Sequence, residues 1–76
     1  MASIAFTHPI DIDGISISDA DAAADYLLNN WPVDSGERYD FAKRVCLEVI
    51  EGKRDPEDAR AAFLLAAEEA GVILAR

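Results

Sequence analysis

Residues 55–71 read DPEDARAAFLLAAEEAG, and this stretch decides the fold. Asp55 is of the N-cap type and Pro56 suits the first helical position. Glu57 and Asp58 then set negative charge among the unpaired N–H groups of the opening turn. Asp58 stands three residues after the cap, as a short capping box requires. At the far end Gly71 can take the left-handed conformation that closes a helix, with Val72 folding back on the last turn. Between those ends Ala59, Ala62, Phe63, Ala66, Ala67 and Ala70 recur at the i, i+3, i+4, i+7 spacing of one helix face. Ala61, Leu64 and Leu65 widen that face until residues 61 to 67 are apolar all round, so the helix must be covered from more than one side.

The preceding residues supply the cover. Ile10, Ile12, Ile15 and Ile17 alternate with Asp11, Asp13 and Ser16 about the Asp13-Gly14 pair, which predicts a β-hairpin over about residues 4–17. Pro9 marks the first strand as an edge or a bulged strand. Ser18 is the expected cap of a first helix over about 19–31, whose apolar stripe is Ala20, Ala23, Ala24, Leu27, Leu28 and Trp31, and which Pro32 terminates. Asp34 or Ser35 is the expected cap of a second helix over about 36–51, with Tyr39, Ala42, Val45, Cys46, Val49 and Ile50 inward. Asp40, Arg44 and Glu48 form a solvated row outside it, and Gly52 closes it. The third helix runs over about 56–70, and Val72 to Leu74 either packs beneath the bundle or adds a strand. The predicted fold is therefore α+β, one domain over residues 1–76: an N-terminal hairpin on a three-helix cluster with the third helix central. Its core is expected to hold Ile10, Ile12, Ile15, Ile17, Leu27, Leu28, Tyr39, Ala42, Val45, Val49, Ile50, Ala62, Phe63, Ala66 and Ala67.

Charge narrows the function. The net charge is −8, of which −6 lies in residues 1–36, a segment with six aspartates and neither lysine nor arginine. Such a field repels phosphate backbones and anionic lipid, so neither nucleic acid nor membrane is an expected partner; the charge reads first as a means of solubility and second as a complement to a basic protein. Seventy-six residues sit near the lower limit for folding alone, with an expected stability of about 4–11 kcal/mol. No apolar run is long enough to span a bilayer and no secretion signal is evident, so the cytoplasm is the expected location.

Chemistry-bearing residues are few. Cys46 is the only cysteine and lies on an apolar stripe, where it reads as a small core hydrophobe. His8, the only histidine, lies on the first strand, so no catalytic dyad and no metal set is expected, and no cofactor either. Asp34-Ser35 superficially looks like the modified serine of an acyl carrier protein. That family follows its serine with an apolar residue, where Gly36-Glu37 stands here, and it lacks a hairpin. Arg60 shares a side with Phe63, Leu64 and Ala67, so its guanidinium needs a carboxylate, a carbonyl or an aromatic face. It is either an internal clamp or an anion-binding group for a small ligand. Trp31 is either the plug of the core or an exposed binding aromatic.

The ordered set Trp31-Pro32, Gly36, Tyr39, Ala42, Cys46, Gly52, Ala59-Arg60-Ala61-Ala62-Phe63, Ala66-Ala67 and Glu69-Ala70-Gly71-Val72 resembles a family of small proteins from soil and plant-associated alphaproteobacteria, catalogued as a domain of unknown function. The resemblance runs from about Phe6 to Ile73 and implies the architecture above and a bacterial cytoplasm. It brings no activity, cofactor or catalytic residue. A non-enzymatic interaction or adaptor module is the expected function, with Trp31, Tyr39, Arg60, Leu64 and Leu65 as candidate interaction residues. Leu64, Leu65 or the hairpin edge would hold a homodimer.

Overall fold

The computed structural model describes residues 4–72. Strands β1 (Ala5–Ile12) and β2 (Ile15–Asp19) form an antiparallel two-stranded sheet, followed by helices α1 (Ala20–Asn29), α2 (Glu37–Ile50) and α3 (Pro56–Ala70). The hairpin turns on Asp13 and Gly14, both at positive φ (52° and 77°), which is the mirror-image turn whose twist matches the strands. It pairs Ile12 with Ile15, Asp11 with Ser16 and Ile10 with Ile17. The next pair is Ala5 with Asp19, so the four residues Phe6 to Pro9 face Ser18 alone and β1 bulges there. The expected bulge at Pro9 is present, and its cause is visible in the ladder that proline cannot join.

Side chains of α3 fasten that bulge. The Thr7 amide donates to Glu57 Oε2 at 2.8 Å, and Arg60 Nε donates to the His8 carbonyl at 2.8 Å. Glu57 and Arg60 therefore serve the bulged backbone as a neighbouring strand would, one accepting and one donating. Arg60 is thus an internal clamp, as one of its two expected roles required, and its partner is a strand carbonyl. Loss of either contact leaves a backbone group of the bulge unpaired. We expect Arg60→Ala to destabilise the fold by about 1–1.5 kcal/mol, above the ~0.5 kcal/mol typical of surface changes. Glu57→Ala should speed exchange of the Thr7 amide about tenfold by hydrogen-exchange NMR. Unchanged exchange there would contradict the clamp.

Helix α3 begins and ends at the residues its local sequence marks, although Asp58 does not complete the expected capping box, its carboxylate lying 3.7 Å from Arg54. The Asp55 carboxylate accepts from the Glu57 amide at 2.9 Å, Pro56 follows, and Gly71 closes the helix at φ 73° while the Val72 amide returns to the Ala67 carbonyl at 2.9 Å. Gly52 closes α2 as expected, at φ 81° with the Lys53 amide returning to the Glu48 carbonyl at 2.8 Å, but both other helices are capped at their starts differently from expectation. Asp19 caps α1, not Ser18. Ser18 still lies in the strand, and the extended Asp19 (φ −154°) brings its carboxylate 2.8 Å from the Ala22 amide. That helix stops at Asn29, short of Trp31, with the Asn30 amide bonded to the Tyr26 carbonyl. Neither Asp34 nor Ser35 caps α2: Gly36 holds the cap position and offers no side chain. The missing acceptor arrives from α3, where the Glu69 carboxylate takes the Arg38 amide at 3.1 Å and the Tyr39 amide at 3.3 Å.

The core fills the space between the three helices and one face of the hairpin. Phe63, Ile12, Ile17, Leu27, Val45, Val49 and Cys46 are its largest fully buried side chains, with Phe6, Ile10, Tyr26 and Tyr39 around them. Three expected core residues are outside it. Ile15 is 46 % exposed at the turn end of the ribbon, Ile50 ends α2 one position beyond the buried Val49, and Leu28 is 65 % exposed. Leu28 lies on the α1 flank of Asp21 and Asp25, seven and three residues earlier, while Leu27 and Tyr26 face inward. Helix α3 is covered by α2, α1 and β1, so the expected cover from more than one side is present, but it is not all round: Leu64 packs partly against the core and Leu65 is 38 % exposed. The outer row of α2 is solvated as expected but pairs otherwise. Lys43 meets Asp40 at 3.6 Å, and Arg54 bridges Glu48 at 2.7 Å and Asp58 at 3.7 Å, tying α2 to α3. The question of a strand at Val72 to Leu74 falls, beyond Val72, outside the described residues.

Cys46 is a core residue. Burial pushes its thiol up from 9.0 to about 12. The folded chain then holds a proton that the unfolded chain releases, so stability is complete below the ordinary value of 9.0 and declines as pH rises towards about 12. The slope is about 1.4 kcal/mol per pH unit. A disulfide exchange reagent at pH 8 should leave the folded protein untouched and label it within seconds in denaturant. Rapid labelling of the native protein would contradict this placement.

Candidate functional site

The five residues singled out from the sequence fall in four places. Arg60 is on the β1 clamp, Leu64 leans into the core, and Leu65 stands on the outer side of α3. Trp31 and Tyr39 come together at the turn between α1 and α2. Their rings stack in parallel, 3° between planes and 6.0 Å between centroids. The edge of Phe63 meets Trp31 at 5.2 Å and Tyr26 meets it at 6.0 Å, making a four-ring cluster that ties all three helices. The Lys43 ammonium lies 4.2 Å from the Tyr39 ring, close enough for a cation–π contact.

The sequence folds this way because α1 runs out of helical residues before Trp31. Pro32 forbids helical continuation, so the chain leaves α1 extended and swings Trp31 back over the end of the bundle. Tyr39, in the first turn of α2, then meets it from the other side. The Tyr39 hydroxyl donates to the Leu27 carbonyl at 2.9 Å, satisfying one of the last carbonyls of α1. Trp31 Nε1 is buried, and among the described residues it has no acceptor. A buried donor left this way costs about 1–3 kcal/mol, which the stacking and burial of the cluster offset.

Above the stacked rings lies an open groove of about 620 Å³, walled by Leu28, Pro32, Val33 and Ser35 with Trp31 and Tyr39 beneath. Leu28 at 65 % and Val33 at 41 % exposure form its apolar rim. Ser35, freed from the capping role expected of it, is exposed on the same wall. The groove is mixed in character, its exposed lining more polar than apolar: beside Leu28 and Val33 stand Asn29, the Asp34 carboxylate and the Ser35 hydroxyl, without converging acid and base groups. Among the described residues no cluster of three His, Cys, Asp or Glu is placed to hold a metal ion, and no helix is long and apolar enough to cross a membrane. Of this site, Trp31 and Tyr39 were named from the sequence. Tyr26, Leu28 as a surface group, and Val33 were missed. For Leu28 the available signal was its spacing from Asp21 and Asp25, seven and three residues earlier, which puts it on their flank of α1.

No curated protein and no solved structure matches the chain. A family model does, described as "Protein of unknown function (DUF982)", over residues 9–74. That span takes in β1 from its bulge onward, all three helices and both walls of the groove, so the match covers the architecture and the site together. The chain belongs to the DUF982 family of proteins of unknown function.

Proposed function

We propose that this chain is a small non-enzymatic interaction module that receives another protein, or a second copy of itself, in the groove over Trp31 and Tyr39. The observation that carries the proposal is the exposure of Leu28 on an otherwise charged flank, beside Val33 and above a rigid aromatic floor. Leu28, 65 % exposed beside the exposed Val33 and over the aromatic pair, is apolar surface that a partner would cover with gain. The stacked floor is pre-organised by the Tyr39 hydroxyl bond, so a partner would spend little conformational entropy in forming the contact. Acidic charge on the surrounding surface favours a basic protein and disfavours nucleic acid or an anionic membrane.

Light scattering on the protein purified from its own host, with mass spectrometry of whatever co-elutes, tests this. The proposal expects a dimer or a stoichiometric protein partner, lost in Leu28→Glu while the unfolding midpoint stays within about 0.5 kcal/mol of the parent. A monomer of unchanged behaviour in both proteins would count against it. The intact mass also tests the carrier alternative: a phosphopantetheine adduct on Ser35 would replace the interaction reading.

A further inference from the structure

The two free edges of the hairpin are treated in opposite ways. On β1 the outer edge is broken by Pro9 and by the bulge of Phe6 to Pro9, and its Thr7 amide and His8 carbonyl are taken by Glu57 and Arg60. These are the devices by which proteins blunt an edge against further pairing. Strand β2 has none of them. Its five residues, ISISD, contain no proline, no lysine and no bulge of their own. The turn is two residues long, so Ile15 and Ile17 direct their backbone groups at Ile12 and Ile10, and the alternation of an antiparallel ladder turns the N–H and C=O of Ser16 and Ser18 away from β1. Both serines are exposed, and among the described residues no hydrogen bond reaches those outward groups.

The charge around this edge says what would pair with it. Asp11 is the cross-strand neighbour of Ser16, Asp13 forms the turn, and Asp19, Asp21 and Asp25 continue from the end of β2 along α1. Residues 1–36 carry −6 with no compensating base. A second copy presenting the same edge would bring two such fields together. An extended basic segment would neutralise one, while Ile15, 46 % exposed beside the edge, would accept an apolar side chain from its alternate positions.

We propose that β2 is a docking edge that takes an extended, lysine- or arginine-bearing segment of another protein as a third strand, paired to the outward backbone groups of Ser16 and Ser18. This goes beyond the groove reading, because the chain could hold either contact without the other. The mode is β-strand addition, in which the backbone supplies affinity and the alternate side chains supply selectivity.

The test is an NMR titration of the full chain with a capped octapeptide alternating lysine and valine, beside its glutamate–valine counterpart. The expected result is a shift of the Ser16 and Ser18 amides, slower exchange of both, and binding that weakens about tenfold between low and high salt as the charges are screened. Ser18→Pro removes one outward N–H at an edge position where proline is tolerated, and should weaken binding at least about tenfold with the fold retained. The pair S16K/S18K, which keeps every backbone group but sets two positive charges on the edge itself, should also weaken it. Binding that survives both variants, or equal binding of the glutamate peptide, would overturn the proposal. So would Ser16 and Ser18 amides already protected in the free protein together with a doubled mass, which would assign the edge to a second copy. Shifts confined to Leu28, Trp31 and Val33 would overturn it too, while leaving the groove reading intact.

Discussion

Phe63→Ala is expected to lower the stability of this protein by about 3–5 kcal/mol, against a total of about 4–11 kcal/mol for a chain of this length. Phe63 is the largest of the fully buried side chains. Its ring also meets Trp31 at 5.2 Å and Tyr26 at 6.2 Å, so truncation opens a cavity and removes the support beneath the stacked pair. Collapse into that cavity is hindered because α3 is fixed at both ends, by the β1 clamp and by Glu69 on α2. The sole tryptophan reports the outcome directly: its emission should shift towards that of a solvated indole, and urea unfolding should begin well below the parental midpoint. A loss under about 1 kcal/mol would show that the cluster is looser than its geometry implies.

Gly36→Ala is the second large effect, at about 2–4 kcal/mol, and it has two separable causes. Gly36 sits at φ 148°, a conformation that a residue with a Cβ adopts only under strain. A Cβ there would also overlap Glu69 Oε1 and push away the carboxylate that serves the Arg38 and Tyr39 amides. Glu69→Ala alone should cost about 0.5–2 kcal/mol, as the loss of a helix cap does. In the Glu69→Ala background, Gly36→Ala should cost less than in the parent, because only the backbone strain remains. A double-mutant cycle by chemical denaturation measures that difference. Strict additivity would mean that the two residues do not meet.

The same pair of residues shows where reading the sequence succeeds and where it stops. Every signal for α3 lay within the helix or one residue beyond it, so Asp55, Pro56 and Gly71 were assigned in place. The cap of α2 comes from Glu69, about thirty residues away in sequence, and nothing near Asp34 or Ser35 announces that their side chains will be idle. Likewise Ser18 was preferred to Asp19 because the extent of the strand, set by pairing with Ala5, is a property of two segments. The hairpin and its turn were legible from alternation and from Asp13-Gly14. Ile15, Leu28 and Ile50 were misplaced because periodicity gives the face of an element and not how far the neighbouring layer reaches along it. The stacking of Trp31 on Tyr39 was invisible for the same reason: it spans a turn, and each residue alone looked like a core plug.

The clamp on β1 has a consequence for the order in which the chain can fold. The hairpin is synthesised before α3, yet a lone hairpin is marginal in water, and among the described residues its bulged backbone is held by Glu57 and Arg60, which are separated from it by 50 and 52 residues. Glu69 is likewise made after the helix it caps. Much of the local structure made early in synthesis therefore waits for α3 before it can persist. Folding of these elements is gated on α3, and a nascent chain halted before residue 60 should remain sensitive to protease through the hairpin, α1 and α2.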